Sequence, residues 1–284
     1  MGKKYEFQIS KSERLSSFLA SNVPALSSAR ADLLIKSGEV RVNGVRSKQN
    51  AVLAVGDRVN IFVPDELNKR TVNVSTVYDD ENIVIFDKPK RTAYDALPQL
   101  YDAPLFAVHR LDTNTTGLIV FAKTKKALGE LSDAFRDRRV KKVYEAVVLP
   151  APKDDKATLT AYTKLLNDRN LALVSDKPKA GYKTMITEYG VKQRIGDAAV
   201  LRVYPHTGRT HQIRAHLQFI GCPIIGEHKY GVRGGARIDG APDTQMLAAV
   251  ELTFSGLKGG MEYLNGKTFT VDSGFDLSFL IKNT

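Results

Sequence analysis

From Val72 onward, the apolar residues of this chain gather into short strand-length runs that do not alternate regularly with helices. Ile83-Val84-Ile85-Phe86 is a compact apolar run closed by Lys88-Pro89, and Leu118 to Ala122 is another. Val140 to Leu149, Thr158 to Leu165, Lys183 to Tyr189 and Ala199 to Tyr204 read as further strands. Between them, residues 125 to 137 carry helical spacing through Leu128, Leu131 and Phe135. A doubly wound parallel sheet needs a helix between successive strands. The expected fold class is therefore α+β, a mixed, mainly antiparallel central sheet with flanking helices.

The N-terminal stretch has a different grain. Leu15, Phe18 and Leu19 lie at helical spacing, and Ala29 to Ile35 continues a second helix after the Ser27-Ser28 cap signal, with Gly38 as its stop. Glu39 to Val42 alternates as a strand entering the Asn43-Gly44 turn. Gly56-Asp57 makes another turn, after which Val59, Ile61 and Val63 point one way. Pro64 and the charged run Asp65 to Arg70 read as a linker. Two domains are expected: a small α+β unit over residues 1–66 and a larger one over 67–284.

Lys and Arg number 42 against 31 acidic residues, a formal net charge of +11. Such an excess favours a polyanionic partner through phosphate contacts and counterion release. A basic surface with no nucleic-acid partner is the plainer alternative. In the small unit, Arg30, Lys36 and Arg41 would form a phosphate-binding patch if the second helix and the following hairpin share a face; otherwise they are scattered solvated charges. The single cysteine, Cys222, excludes an intramolecular disulfide and a multi-thiolate metal site. No signal peptide, myristoylation signal or membrane-length apolar run is present, so a cytoplasmic protein is expected. Nothing signals an interface, and a monomer is the default.

Two segments carry candidate chemistry. In Val108-His109-Arg110-Leu111-Asp112-Thr113-Asn114-Thr115-Thr116-Gly117-Leu118, an acid sits in a polar stretch just before a buried strand, though its neighbours are also turn formers. Thr207 to Leu217 reads as a turn at Gly208 feeding a helix capped by Thr210, with Ile213 and Leu217 facing the core. Arg214 lies beside that core face. A guanidinium there would keep a buried carboxylate ionised, where a lone Asp would take up a proton; a structural ion pair elsewhere is the other possibility. Lys141-Lys142-Val143-Tyr144 places an aromatic ring beside a cationic edge, which suits stacking on a base with its phosphate nearby. A strand tyrosine is also an ordinary core or rim residue. His206, His211 and His216 recur every five residues and so leave a common helical face, which argues against a metal and for capping or core hydrogen bonding.

Together these stretches resemble the RluA-type RNA pseudouridine synthases. The matching runs are His109-Arg110-Leu111-Asp112 with Thr115-Thr116-Gly117-Leu118, Lys142-Val143-Tyr144, Thr187-Glu188-Tyr189, Gly208-Arg209-Thr210-His211-Gln212-Ile213-Arg214, and Gly221 to Gly226 followed by Tyr230-Gly231. The resemblance implies isomerisation of uridine in RNA without cofactor or metal. It implies Asp112 as the catalytic carboxylate and Arg214 as its partner. It also implies Tyr144 as the ring that stacks on uracil and helps remove the carbon-5 proton, and Arg110 as the residue that intrudes into the RNA and holds the flipped uridine. Residues 12 to 64, through Ser28-Ala29-Arg30, Leu34 to Gly44 and Val55 to Val59, resemble a small RNA-binding module shared by a ribosomal protein and tyrosyl-tRNA synthetases.

Some positions depart from that pattern. Lys90-Arg91-Thr92 stands where a Gly is usual, Gly226-Glu227 replaces Gly-Asp, and Leu247-Ala248-Ala249 lacks a usual histidine. The expected substrate is a structured RNA, ribosomal RNA or tRNA, and a non-catalytic RNA-binding or ribosome-assembly protein is the rival. That rival does not explain why Asp112, Tyr144 and Arg214 occur together in their motifs.

Overall fold

The computed structural model describes residues 3–23, 26, 28–63, 74–101, 103–166, 168–230 and 239–282; the side chains at 28–30, 99 and 282 lie outside the description. The expected linker, Pro64 to Arg70, and the expected domain break at 66/67 fall outside these residues, as does Gly231. The chain divides into two compact units, residues 1–73 with 92–105, and residues 74–91 with 106–284.

In the first unit, β1 (Lys3–Gln8), α1 (Leu15–Asn22), α2 (Ser28–Ser37), β2 (Val40–Val42), β3 (Val45–Arg46) and β4 (Arg58–Val63) form an antiparallel sheet of order β1-β4-β2-β3 with two helices. The tight β2–β3 hairpin is set by Asn43 (φ 51°) and Gly44 (φ 83°), a two-residue turn that needs left-handed backbone at both positions. Val59, Ile61 and Val63 are buried on one face of β4, with Leu15, Leu19, Ile35 and Leu53 against them. Burial of this continuous apolar face holds the small unit together. A 3₁₀ helix, Tyr94–Leu100, belongs to the segment grouped with this unit.

The second unit is built on one large sheet. Its elements are β5 (Ser75–Asp79), β6 (Ile83–Lys88), β7 (Phe106–Ala107), β8 (Thr116–Ala122), α3 (Lys125–Arg136), β9 (Val140–Val148), β10 (Lys156–Leu166), β11 (Leu171–Ser175), β12 (Lys183–Ile195), β13 (Ala198–Pro205), α4 (Gln212–Phe219), β14 (Leu247–Phe254), β15 (Thr268–Thr270) and α5 (Ser278–Lys282). The strand order is β11-β10-β12-β13-β9-β14-β8-β6-β5, with β15 on β14 and β7 on β8. Only the β14–β8 pairing is parallel among the described strands. This is the mixed, mainly antiparallel sheet expected from the absence of strand–helix alternation.

Why β6 and β8 read as unbroken apolar runs is now plain: Ile83 to Phe86 and Leu118 to Ala122 are buried throughout, covered on both faces. α3 is capped by Thr124, whose Oγ1 accepts from Ala127 N at 3.1 Å, and lays Ala127, Leu131 and Ala134 on this part of the sheet. The β8–β14 pairing depends on Gly117. Its φ is +96°, and a Cβ there would lie 2.1 Å from the Ala249 carbonyl oxygen. That close approach brings the loop before β8 beside the start of β14. Among the described residues, no helix is long and apolar enough to cross a membrane.

Candidate active site

The loop from Val108 to Thr115, between β7 and β8, is pinned at four points. His109 Nε2 accepts from Val120 N at 3.0 Å, and its ring stacks on Phe135 with centroids 4.4 Å apart. Lys88 Nζ donates to the Thr113 carbonyl at 3.0 Å and to that of Pro89 at 3.1 Å. Gln245 Nε2 donates to Thr115 Oγ1 at 2.7 Å, and Thr115 N closes a turn onto the Asp112 carbonyl at 3.0 Å. Such anchoring fixes where the Asp112 side chain emerges, which loop backbone alone does not do.

Asp112 Oδ2 accepts from Arg214 Nη1 at 2.7 Å. Arg214, on α4, turns the rest of its guanidinium to Glu227: Nε donates to Oε2 at 2.6 Å and Nη2 to Oε1 at 2.9 Å. Glu227 also accepts from the backbone N–H of Lys229 and Tyr230. Burial works to raise the Glu227 pKa, but Arg214 and those N–H groups outweigh it, and the carboxyl is held below its usual range. For Arg214, burial opposes the charge while Glu227 and Asp112 stabilise it more strongly, so its pKa rises further. The guanidinium is therefore a fixed cation shared by two carboxylates.

Tyr144, on β9, is 9% exposed and lines the same cleft of about 650 Å³, together with Asp112, Arg110, Arg214, His211 and Leu247. Burial, and then the Asp112 charge, push its phenol pKa up. It is a neutral phenol at ordinary pH, suited to stacking and poor as a ready base. Arg110 stands exposed at the rim and donates from Nη2 to Thr210 Oγ1 at 2.9 Å.

That hydrogen bond corrects the expected cap. Thr210 serves Arg110, while α4 begins at Gln212 after His211, which has left-handed backbone (φ 53°, ψ 26°) and gives no side-chain cap. The Gln212 side chain closes the turn instead, its Oε1 accepting from Arg209 N at 2.9 Å and from Thr207 Oγ1 at 2.7 Å. Of the three histidines, His216 makes a buried hydrogen bond to Thr187 and His206 pairs with Glu188 at the surface. No group of three or more His, Cys, Asp or Glu able to hold a metal is present among the described residues.

Of the residues expected to form a patch in the small unit, Lys36 and Arg41 have described side chains. Lys36 ends α2 and is exposed, and Arg41 is exposed on β2 directly opposite Arg46 on β3. The Arg46 side chain lies near Gly38, which follows that helix end. The Arg30 side chain lies outside the described residues.

Sequence reasoning misses three members of the site. Lys88 reads in the sequence only as the end of a strand, yet it is fully buried, and burial lowers its pKa to about 7 against the pull of Asp112 and Asp87. A lysine shortly after the apolar run Ile83 to Phe86, at the end of the same strand, is the available signal. Glu227 and His211 carry no signal beyond their motif positions.

The sequence pattern of the RNA pseudouridylate synthase family matches residues 69–219, more than half of the 284-residue chain. The chain belongs to the pseudouridine synthases. An uncharacterised RNA pseudouridine synthase of Aquifex aeolicus is 31% identical over 260 residues, covering 81% of this synthase and 81% of its own length. The ribosomal large subunit pseudouridine synthase C of Vibrio parahaemolyticus is 31% identical over 247 residues, covering 78% and 77% respectively. The structure of human RNA pseudouridylate synthase domain containing 1 matches the fold with a TM-score of 0.57 at 23% identity, covering 74% of this chain and 94% of that one. The activity is the isomerisation of uridine in RNA to pseudouridine, and the synthase is an enzyme rather than a binding module.

Proposed function

We propose that Asp112 is the carboxylate that enables this isomerisation, working in the cleft it shares with Tyr144, Arg214 and Arg110. The observation that carries this is the Asp112–Arg214–Glu227 array: an ionised, buried guanidinium holding one Asp112 oxygen at 2.7 Å in a cleft of about 650 Å³. Converting uridine breaks the N1–C1′ bond and forms C5–C1′, while carbon-5 loses a proton and N1 regains one. The base must first leave its stack, at a cost of roughly a few kcal/mol. It must then be held while it turns, and a ring such as Tyr144 against it restricts its motion to that plane. Arg110 at the rim is suited to fill the space that the flipped base vacates.

The RNA is proposed to be structured ribosomal RNA or tRNA, with ribosomal RNA of the large subunit favoured by the names of relatives such as the Vibrio protein. Lys36, Arg41 and Arg30 of the small unit are proposed to grip its phosphates, with Arg46. Arg41 and Arg46 face each other across the hairpin, and like charges so placed repel unless an anion lies between them. The enzyme is proposed to act as a cytoplasmic monomer; the single cysteine suits a reducing compartment. The test is pseudouridine mapping in RNA from cells lacking the gene and from cells complemented with it. Loss and return of pseudouridine at defined ribosomal or transfer RNA positions is the expected result. An unchanged map would overturn the proposal.

A further inference from the structure

The two oxygens of Asp112 have different status. Oδ2 accepts from Arg214 at 2.7 Å, whereas Oδ1 accepts no hydrogen bond among the described residues and has His211 Nε2 3.9 Å away. His211 is held firmly. Its backbone is left-handed, its side chain is 7% exposed, and its Nδ1 lies 2.8 Å from the Tyr230 hydroxyl. That hydroxyl accepts from Ala172 N at 2.7 Å, which leaves its own proton available to donate to Nδ1. In that arrangement the ring proton sits on Nε2, the nitrogen that faces Asp112. Burial keeps the imidazole neutral; the charged and titratable groups around it are Asp112, Arg214, Lys229, Glu227 and Tyr230.

An N–H donor and a carboxylate acceptor thus stand 3.9 Å apart in the cleft wall. That gap is too long for a direct hydrogen bond. It fits one bridging atom that accepts from the first and donates to the second, which is what a hydroxyl does. In a uridine within RNA, the uracil carbonyls only accept and N3–H only donates. The ribose 2′-hydroxyl does both. We propose that His211 and Asp112 Oδ1 together read the 2′-hydroxyl of the target uridine, His211 donating to its oxygen and Asp112 accepting its proton. His211 is then a specificity residue that tells a ribonucleotide from a deoxyribonucleotide at the modified position. Tyr230 and Ala172 act behind it as positioning groups. This role rests on Asp112 being the working carboxylate of the cleft.

The test uses the full chain and the RNA stem–loop containing the uridine that it converts in total RNA, synthesised with uridine or with 2′-deoxyuridine at that position. The quantity read is the ratio of kcat/KM for the two substrates in wild type, His211→Asn and Tyr230→Phe. Asparagine tolerates the left-handed backbone but is too short to reach the bridging position. Intrinsic reactivity differences between the substrates cancel when the ratios are compared between variants. The wild-type ratio is expected to drop roughly tenfold or more in His211→Asn, because the variant slows on uridine and not on deoxyuridine. A smaller drop in the same direction is expected for Tyr230→Phe, which keeps the imidazole but frees its tautomer; this variant decides if His211→Asn does not fold. Equal slowing on both substrates, with the ratio unchanged, would overturn the inference and leave His211 a packing residue. An active Asp112→Asn would instead remove the premise, so the two failures are distinguishable.

Discussion

Arg214 binds Asp112 with one edge of its guanidinium and Glu227 with the other, and all three groups meet in hydrogen bonds of 2.6–2.9 Å. The carboxylate proposed to react, Asp112, is therefore positioned through a second carboxylate outside the cleft lining. Glu227 in turn is fixed by two backbone N–H groups just beyond Gly226, where a Cβ would lie 2.2 Å from the Thr244 carbonyl oxygen.

Replacing Glu227 by Gln removes half of a buried ion pair and leaves Arg214 partly uncompensated. Loss of stability of about 3 kcal/mol is expected, since breaking one side of a buried pair costs that much. Turnover should fall about a hundredfold as Asp112 loses its register. RNA affinity should hold, because Glu227 has no surface to offer. Denaturant unfolding and single-turnover kinetics check both halves.

Gly117→Ala should be severely destabilising, because its Cβ would meet the Ala249 backbone and not a movable side chain. Parting β8 from β14 displaces the Asp112 loop at the same time. A folded, active Gly117→Ala with an unchanged melting temperature would contradict this account of the strand pairing.

Stability should fall between pH 6.5 and pH 5. Burial lowers the pKa of His109 to about 3 and that of His216 to about 4. The unfolded chain binds protons at these sites near pH 6.5 while the folded chain does not, so their contribution is present above that pH and is lost as pH falls towards the folded values. Each site costs about 2 kcal/mol at pH 5. Urea unfolding of wild type against His216→Asn reads the effect: the variant should show about half the pH dependence.

RNA binding should weaken steeply with salt, and the steepness should report the small unit. Arg41→Gln with Arg46→Gln should reduce the slope of log Kd against log salt by roughly 0.7–0.9 for each phosphate that the hairpin no longer neutralises. A slope equal to wild type would assign the hairpin no phosphate.

Much of the sheet is legible in the sequence because its signals are local. Asn43-Gly44 fixes a hairpin by backbone sterics, and the apolar runs of β6 and β8 report burial on both faces. The chemistry is legible only as motif, since Asp112 and Arg214 are 102 residues apart in sequence. The partners that complete the site are not. Lys88 and Glu227 gain their meaning from burial, which is a tertiary property, and β14 escapes a local reading because its parallel pairing with β8 hangs on one glycine. Thr210 looks like a helix cap because capping favours Thr, but the left-handed turn at His211 moves the helix start beyond its reach. Arg91 shows the same limit. It adopts the left-handed φ of 59° that glycine favours, with its side chain paired to Asp243.

The measurement that bears most directly on Asp112 is tritium release from RNA containing carbon-5-labelled uridine, comparing wild type with Asp112→Asn. The amide keeps the size of the side chain and removes its charge. Release by wild type, slowed about a thousandfold or more in the variant with RNA binding retained, is the predicted result. Release by Asp112→Asn at a rate near wild type would contradict the assignment of the chemistry to this carboxylate.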